Sequence, residues 1–146
     1  MKIGPPVSCM CLTYGRAHLL EEAIASFLRQ DYAGVKELIV LNDLAELRLH
    51  FDHPEVKIIN VEKRFRGLGE KRNASAALCS HDLLFVWDDD DISLPWRLSY
   101  SVEKMSDGRR FFKPAESFVL SRGTLSGPKG TFSIRVPVGS EACLTR

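Results

Sequence analysis

The residues that most clearly suggest chemistry are four consecutive aspartates at positions 88–91. They follow the apolar residues 83–87, which have the length and composition of a short buried strand. Two unit charges 4 Å apart repel by about 4 kcal/mol at an effective dielectric near 20, so this run needs solvent, protons or a cation. A solvated acidic turn is one interpretation. The position at a strand end favours a metal or ligand site, because open α/β sheets bind ligands there.

A metal bound by this run would be a hard cation, because only oxygen ligands are available. Magnesium takes one or two carboxylates together with substrate phosphates, and manganese accepts similar ligands. In an extended segment alternate side chains point to the same side. Asp88 and Asp90 would then form one pair and Asp89 and Asp91 the other, and we expect one pair to bind metal and ligand while the other caps the following helix or holds loops.

Two further polar clusters end predicted strands, Thr13-Tyr14-Gly15-Arg16 and Asn42-Asp43. In a doubly wound sheet such ends converge on one crevice. Tyr14 could stack on a base or be a surface aromatic residue. Asp43 could accept hydrogen bonds from a base or ribose, or could cap its strand in an Asx turn. We expect both clusters to lie beside the acidic run.

A basic segment, residues 63–72, contains five lysines and arginines and is interrupted by Gly67 and Gly69. Glycines that lead into a helix, together with cationic side chains, suit a diphosphate, although a basic loop can simply be solvated. The segment matches neither the dinucleotide-binding fingerprint nor the phosphate-binding P-loop.

Strands and helices alternate in the predicted secondary structure. Strands are predicted at residues 7–12, 38–41, 56–60 and 83–87, and helices at 19–30, 70–80 and 94–105; residues 44–55 stay open, with a short helix as one possibility. This order predicts an α/β fold with a mostly parallel central sheet. After Gly108 short strands are predicted at residues 111–112, 117–120 and 131–138.

Composition limits the classes of function. A chain of 146 residues with a net charge of +1 suits one domain and argues against a nucleic-acid binder. No apolar run is long enough for a transmembrane segment, and no signal peptide precedes the first strand. The four cysteines lack zinc-like spacing, and Cys9 and Cys11 are predicted to be reduced core residues. We expect a cytoplasmic protein, with peripheral association at the inner membrane face left open.

Four segments in order resemble glycosyltransferase family 2, the inverting nucleotide-sugar transferases of the GT-A fold. They are Thr13-Tyr14-Gly15-Arg16 after its strand, Asn42-Asp43, the segment Gly67-Leu68-Gly69-Glu70-Lys71-Arg72-Asn73, and Asp88-x-Asp90 as a DxD motif. The resemblance covers roughly residues 5–105. It implies a Rossmann-like, three-layer α/β/α sandwich in which residues 1–106 bind the donor and residues 107–146 form part of an acceptor-side half.

The resemblance also implies roles for individual residues. Thr13, Tyr14 and Asp43 would contact the base and ribose of a nucleoside-diphosphate sugar. Asp90, with Asp88, would hold Mg²⁺ or Mn²⁺ against the diphosphate, and Asp88 would also face the ribose or sugar. The remaining residues assigned to substrate binding are Arg16, Arg72, Asn73 and Asp89.

The sequence departs from the family at the catalytic base. That base lies in a Glu-Asp motif after the DxD, and this sequence has no Glu-Asp pair; Glu116 and Glu141 are the carboxylates after Asp107. The leading interpretation is a metal-dependent inverting glycosyltransferase acting on a glycan, lipid or protein acceptor. The alternative is a non-catalytic nucleotide-sugar-binding module or a truncated pseudoenzyme. A nucleotidyltransferase is disfavoured, because no Gly-rich segment follows the first strand.

Overall fold

The computed structural model describes residues 4–105, 108–113, 117–121, 124–127, 130–133 and 142–145. The helices are α1 (Ala17–Leu28), α2 (Leu68–Ala77) and α3 (Arg97–Met105). The strands are β1 (Val7–Thr13), β2 (Lys36–Asn42), β3 (Val56–Asn60), β4 (Leu83–Val86), β5 (Asp91–Ser93), β6 (Ser117–Ser121), β7 (Thr124–Gly127), β8 (Gly130–Ser133) and β9 (Ala142–Thr145).

The first four strands form one parallel sheet in the order β3-β2-β1-β4. Each of the two central strands contains a continuous apolar run, at residues 9–12 in β1 and 38–41 in β2, as expected for a parallel sheet that is buried on both faces. Thr13 lies opposite Asn42 in the register, so β1 and β2 end side by side. The predicted α/β class with a mostly parallel sheet is confirmed.

One face of this sheet packs against α1 and α3 in the main hydrophobic core. Trp87, which is fully buried just after β4, donates from its indole Nε1 to the Ala23 carbonyl at 3.0 Å. Its ring meets Phe27 edge to face at 5.7 Å, and the Arg97 guanidinium lies over it at 4.7 Å. These contacts fix the end of β4, from which the acidic run extends.

The other helix, α2, lies against β1 and β2. The residues of α2 that are buried are Lys71 and Ser75, four positions apart on one stripe of the helix. The cysteines at positions 9 and 11 are buried and unpaired, as predicted. Burial raises the pKa of both thiols.

The prediction of a strand at residues 111–112 was wrong, because these residues form no strand. Residues 44–55, which the sequence left open, contain turns at positions 45–46 and 54–55 and no helix. Asp91 begins β5, which pairs in parallel with β9. These two strands belong to a second sheet, β5-β9-β6-β7-β8, that continues antiparallel through β6, β7 and β8.

Within the described ranges no helix is long and apolar enough to cross a membrane. The two candidate bases, Glu116 and Glu141, lie outside the described residues.

Candidate functional site at the strand ends

The carboxylate of Asp43, just after β2, is held from two directions. Its Oδ2 accepts a hydrogen bond from the backbone amide of Phe65 at 3.1 Å, and its Oδ1 accepts one from Lys71 Nζ in an ion pair. The same ammonium donates to the Thr13 carbonyl at 2.6 Å. Lys71 therefore ties together the ends of β1 and β2 and the first turns of α2.

The Asp43–Lys71 pair is buried, with side chains exposed by 4% and 9%. Burial acts to raise the pKa of Asp43, but the hydrogen bonds from Lys71 and the Phe65 amide outweigh it and hold this pKa below its ordinary value. Asp43 is therefore an ionised carboxylate with a fixed orientation.

A cavity of about 290 Å³ opens beside this pair, close to the lower end of the range for small-molecule sites. Its wall combines the ion pair with an aromatic residue and the basic segment: Tyr14, Asp43, Arg64, Phe65, Arg66, Gly67, Leu68 and Lys71. The Arg64 guanidinium stacks over the Tyr14 ring at 4.3 Å. The cavity wall thus combines an anionic acceptor, cations and an aromatic ring.

The acidic run lies at the end of β4 and meets Arg16. The guanidinium of Arg16 makes a two-point contact with Asp89, one bond being 3.0 Å from Nε to Oδ2, and donates from a terminal nitrogen to Asp90 at 2.9 Å. Asp89 is 1% exposed, whereas Asp88 is exposed and the Asp90 side chain is 43% exposed.

The alternation expected of an extended segment does not hold here, because the chain turns at residues 89–90. The amide of Asp91 lies 3.4 Å from the carbonyl of Asp88 across this turn. Arg16 consequently binds two neighbouring aspartates, Asp89 and Asp90, rather than two alternate ones.

Burial raises the pKa of Asp89, although the Thr13 hydroxyl and the Arg16 guanidinium both act to lower it. The buried Thr13 Oγ1 makes no hydrogen bond of ordinary geometry within the described residues. Thr13 and Arg16 thus link the two halves of the site, because Thr13 contacts Lys71 through its backbone carbonyl and Arg16 contacts the acidic run through its guanidinium.

The side chains available to a metal at the acidic run are carboxylates, which are the ligands that hard cations prefer. Asp88 is exposed and the Asp90 side chain is 43% exposed, so both have solvent-accessible surface, and one Asp90 oxygen is bound by Arg16. In the part of the chain that the structure describes, no group of three or more histidine, cysteine, aspartate or glutamate residues is arranged to hold a metal ion. Magnesium sites built from one or two carboxylates and substrate phosphates have this composition.

Of the predicted site residues, Tyr14 and Asp43 line the cavity, whereas the others are not part of its wall: Thr13, Arg16, Arg72, Asn73, Asp88, Asp89 and Asp90. Arg72 and Asn73 on α2 are exposed, and neither belongs to the cavity wall. The residue that the sequence reasoning missed is their neighbour Lys71. A helical periodicity that places Lys71 and Ser75 on the inward stripe of α2, facing a strand that ends in an aspartate, could have identified it.

A model of the family described as Glycosyl transferase family 2 matches residues 8–115. No curated protein matches the chain. The fold is similar to that of S. aureus TarS 1–349 in complex with UDP, with a TM-score of 0.56 and 17% identity over 77% of this chain and 40% of that one.

A second crystal structure of S. aureus TarS 1–349 gives a TM-score of 0.55 and 16% identity over 80% of this chain. The chain spans about two-fifths of the TarS structures it matches, at 40% and 41% of their length. The likeness to TarS is one of fold, whereas the family model covers most of the chain's length. On that match, the chain belongs to glycosyl transferase family 2.

Proposed function

We propose that this chain is the donor-binding part of a metal-dependent, inverting glycosyltransferase that moves a sugar from a nucleoside-diphosphate sugar to an acceptor hydroxyl. The observation that carries the proposal is the cavity at the ends of β1 and β2, where ionised Asp43, Tyr14 and the basic segment line one space. An anionic acceptor, an aromatic face and cations match a base, its ring face and its phosphates. The TarS structure solved with UDP has the same fold, which supports this assignment.

In this proposal the nucleoside occupies the cavity. Tyr14 stacks on the base and Asp43 accepts hydrogen bonds from the base or ribose. The arginines of the cavity wall, Arg64 and Arg66, would bind the diphosphate. Arg72 and Asn73, exposed on α2 directly after Lys71, would contact the nucleotide from outside the cavity wall.

The acidic run takes the diphosphate and sugar end of the donor. Asp90, with Asp88, would hold Mg²⁺ or Mn²⁺, which when bound neutralises charge on the departing nucleoside diphosphate. Arg16 and buried Asp89 keep the turn in place, and Arg16 restrains one Asp90 oxygen. The proton of the acceptor hydroxyl goes to a carboxylate base as oxygen attacks the anomeric carbon. Glu116 and Glu141 are the candidates for that base.

Titration calorimetry with UDP and GDP, with and without Mn²⁺, tests this proposal. We expect one nucleotide to bind with an affinity that Mn²⁺ increases at least tenfold. Asp90→Asn should abolish the increase, whereas Asp52→Asn, at an exposed aspartate in the loop before β3, should leave it unchanged. If neither UDP nor GDP binds, the proposal is overturned. If Mn²⁺ still increases the affinity of the Asp90→Asn variant, the metal assignment is overturned.

A transfer assay distinguishes an enzyme from a non-catalytic binding module. The complete protein is incubated with a panel of nucleoside-diphosphate sugars, and nucleoside diphosphate release is measured with and without acceptors. Release that requires Asp90 supports transfer. Nucleotide binding without release from any donor identifies the binding module.

A further inference from the structure

The buried lysine of the nucleotide site has a defined geometry. Lys71 Nζ donates one hydrogen bond to the Thr13 carbonyl, at 2.6 Å, and another to the Asp43 carboxylate. The lysine is 7% exposed and therefore has little contact with bulk water. Its ammonium approaches Asp43 from the helix side, while the Phe65 amide occupies the other carboxylate oxygen. The remaining lone pairs of Asp43 are the ones available to a ligand in the cavity.

We propose that Lys71 is a positioning residue that sets the base preference of this site, by holding Asp43 as an acceptor-only carboxylate aimed into the cavity. The inference deepens the proposed function and rests on it. An ionised carboxylate can accept but cannot donate a hydrogen bond. The site should therefore select a base whose ring edge offers an N–H donor, such as the N3–H of uracil. Cytosine, which offers an unprotonated N3 acceptor at the same position, should be rejected.

The rejection has a physical cause that depends on Lys71. A buried carboxylate that faces an acceptor has an unmet hydrogen-bonding requirement, and such mismatches are penalised strongly in buried sites. Without the lysine, burial would still act to raise the pKa of Asp43, while the largest opposing contribution would be gone. A protonated Asp43 can donate to the cytosine N3, so the preference should shrink and become dependent on pH.

The other charged residues on the cavity wall around Asp43 are Arg64 and Arg66, which belong to the loop before α2. The Arg66 amide is bound by Glu70 at 2.9 Å, and the Arg64 guanidinium is stacked on Tyr14 at 4.3 Å. Only the lysine makes both an ion pair and a hydrogen bond with Asp43 among the described residues. Substitution at position 71 therefore tests the pair itself.

The test compares UDP and CDP, which differ in the hydrogen-bonding edge of the base, by titration calorimetry between pH 5.5 and 8. For the natural chain we expect UDP to bind at least tenfold more tightly than CDP, with a ratio that is constant across this range. Lys71→Met should weaken UDP at least tenfold, weaken CDP less, and make the ratio fall as the pH is lowered. Lys71→Arg, which keeps the charge, should restore most of the preference.

A second variant distinguishes a change in base preference from misfolding of Lys71→Met. Lys71→Met leaves a buried carboxylate without its counter-charge, whereas Lys71→Met combined with Asp43→Asn leaves neither charge behind. The double variant should fold and bind UDP and CDP with nearly equal affinity at every pH. A UDP-to-CDP ratio that stays at the natural value in either variant would overturn the inference, since a purely structural role for Lys71 weakens both nucleotides alike.

The experiment distinguishes failure of the proposed function from failure of the role inferred for Lys71. If the natural chain binds neither UDP nor CDP, the proposed function fails. If it binds them and the ratio does not respond to Lys71, the proposed function stands and the role of Lys71 is wrong.

Discussion

The contact between Arg16 and Asp89 allows a quantitative test of how the acidic run is held. Asp89 is 1% exposed and Arg16 is 46% exposed, so the pair is buried on one side only. Replacing Arg16 with methionine keeps the length and most of the apolar surface of the side chain. It removes two hydrogen bonds to Asp89 and one to Asp90.

The loss of stability arises because the buried carboxylate of Asp89 remains without its counter-charge. Removing one member of a fully buried ion pair costs about 3–5 kcal/mol, whereas a hydrogen bond to a charged group is worth about 1.5–3 kcal/mol. Because Arg16 is half exposed and screened by solvent, we expect the lower range, about 2 kcal/mol. For a chain of this size that corresponds to a decrease in melting temperature of about 4–8 °C.

The loss should depend on pH. The pKa of Asp89 is already raised by burial, and the loss of Arg16 would raise it further. A carboxyl group that holds its proton more tightly in the folded chain favours folding at low pH, and that contribution declines as the pH rises through the folded pKa. The penalty of Arg16→Met should therefore be larger at pH 7 than at pH 5.

Thermal and urea unfolding at both pH values give the measurement. Arg48→Met, at an exposed arginine, is the matched control and should change stability by less than about 0.5 kcal/mol. Adding Asp89→Asn to Arg16→Met should recover part of the stability at pH 7. Equal losses for Arg16→Met and the control, or the same loss at both pH values, would refute an uncompensated buried carboxylate as the cause.

Two further predictions concern the framework of the site. Gly15→Ala should destabilise the chain by about 1–2 kcal/mol, because Gly15 has a φ of +69° and an added Cβ would lie 2.2 Å from Leu44 Cδ2. The control is Gly69→Ala, which should not destabilise the chain because Gly69 lies in a helix with open space around it. Equal decreases in melting temperature for the two variants would contradict this account. Trp87→Phe should cost about 2–3 kcal/mol, because it empties buried space and removes the 3.0 Å hydrogen bond to the Ala23 carbonyl, which keeps its 2.9 Å bond from the Ser26 hydroxyl. Urea unfolding measures this, and a loss below about 0.5 kcal/mol would contradict it.

Much of the parallel sheet and its first helix could be predicted because the signals are local. The four strands contain runs of apolar residues, and α1 carries apolar residues at helical spacing. The buried residues of α2 are Lys71 and Ser75, so that helix lacks the apolar signal. Polar clusters at the strand ends are also visible in the sequence, and parallel strands oblige such ends to meet at one edge. The loop at residues 44–55 was not predictable, since its few apolar residues fit a helix and a turn equally well.

The second sheet was only partly predictable for a different reason. Asp91–Ser93 is three residues long and lies within an acidic and polar segment, so its composition does not indicate a strand. It becomes one by pairing with Ala142–Thr145, about fifty positions later in the sequence. Pairing partners at that distance leave no periodic signal in a single sequence.

The aspartates at positions 88–91 mark the limit of what the sequence determines. By itself the sequence determined that carboxylates cluster at the end of a core strand, beside an aspartate at the end of another and a basic segment. Tertiary structure alone decided which charges meet: the turn at residues 89–90 buries Asp89 against Arg16, and the packing of α2 brings Lys71 to Asp43. The reason is physical. Charge partners are chosen by distance and burial, and neighbouring residues of the same type differ in both only after the chain has folded.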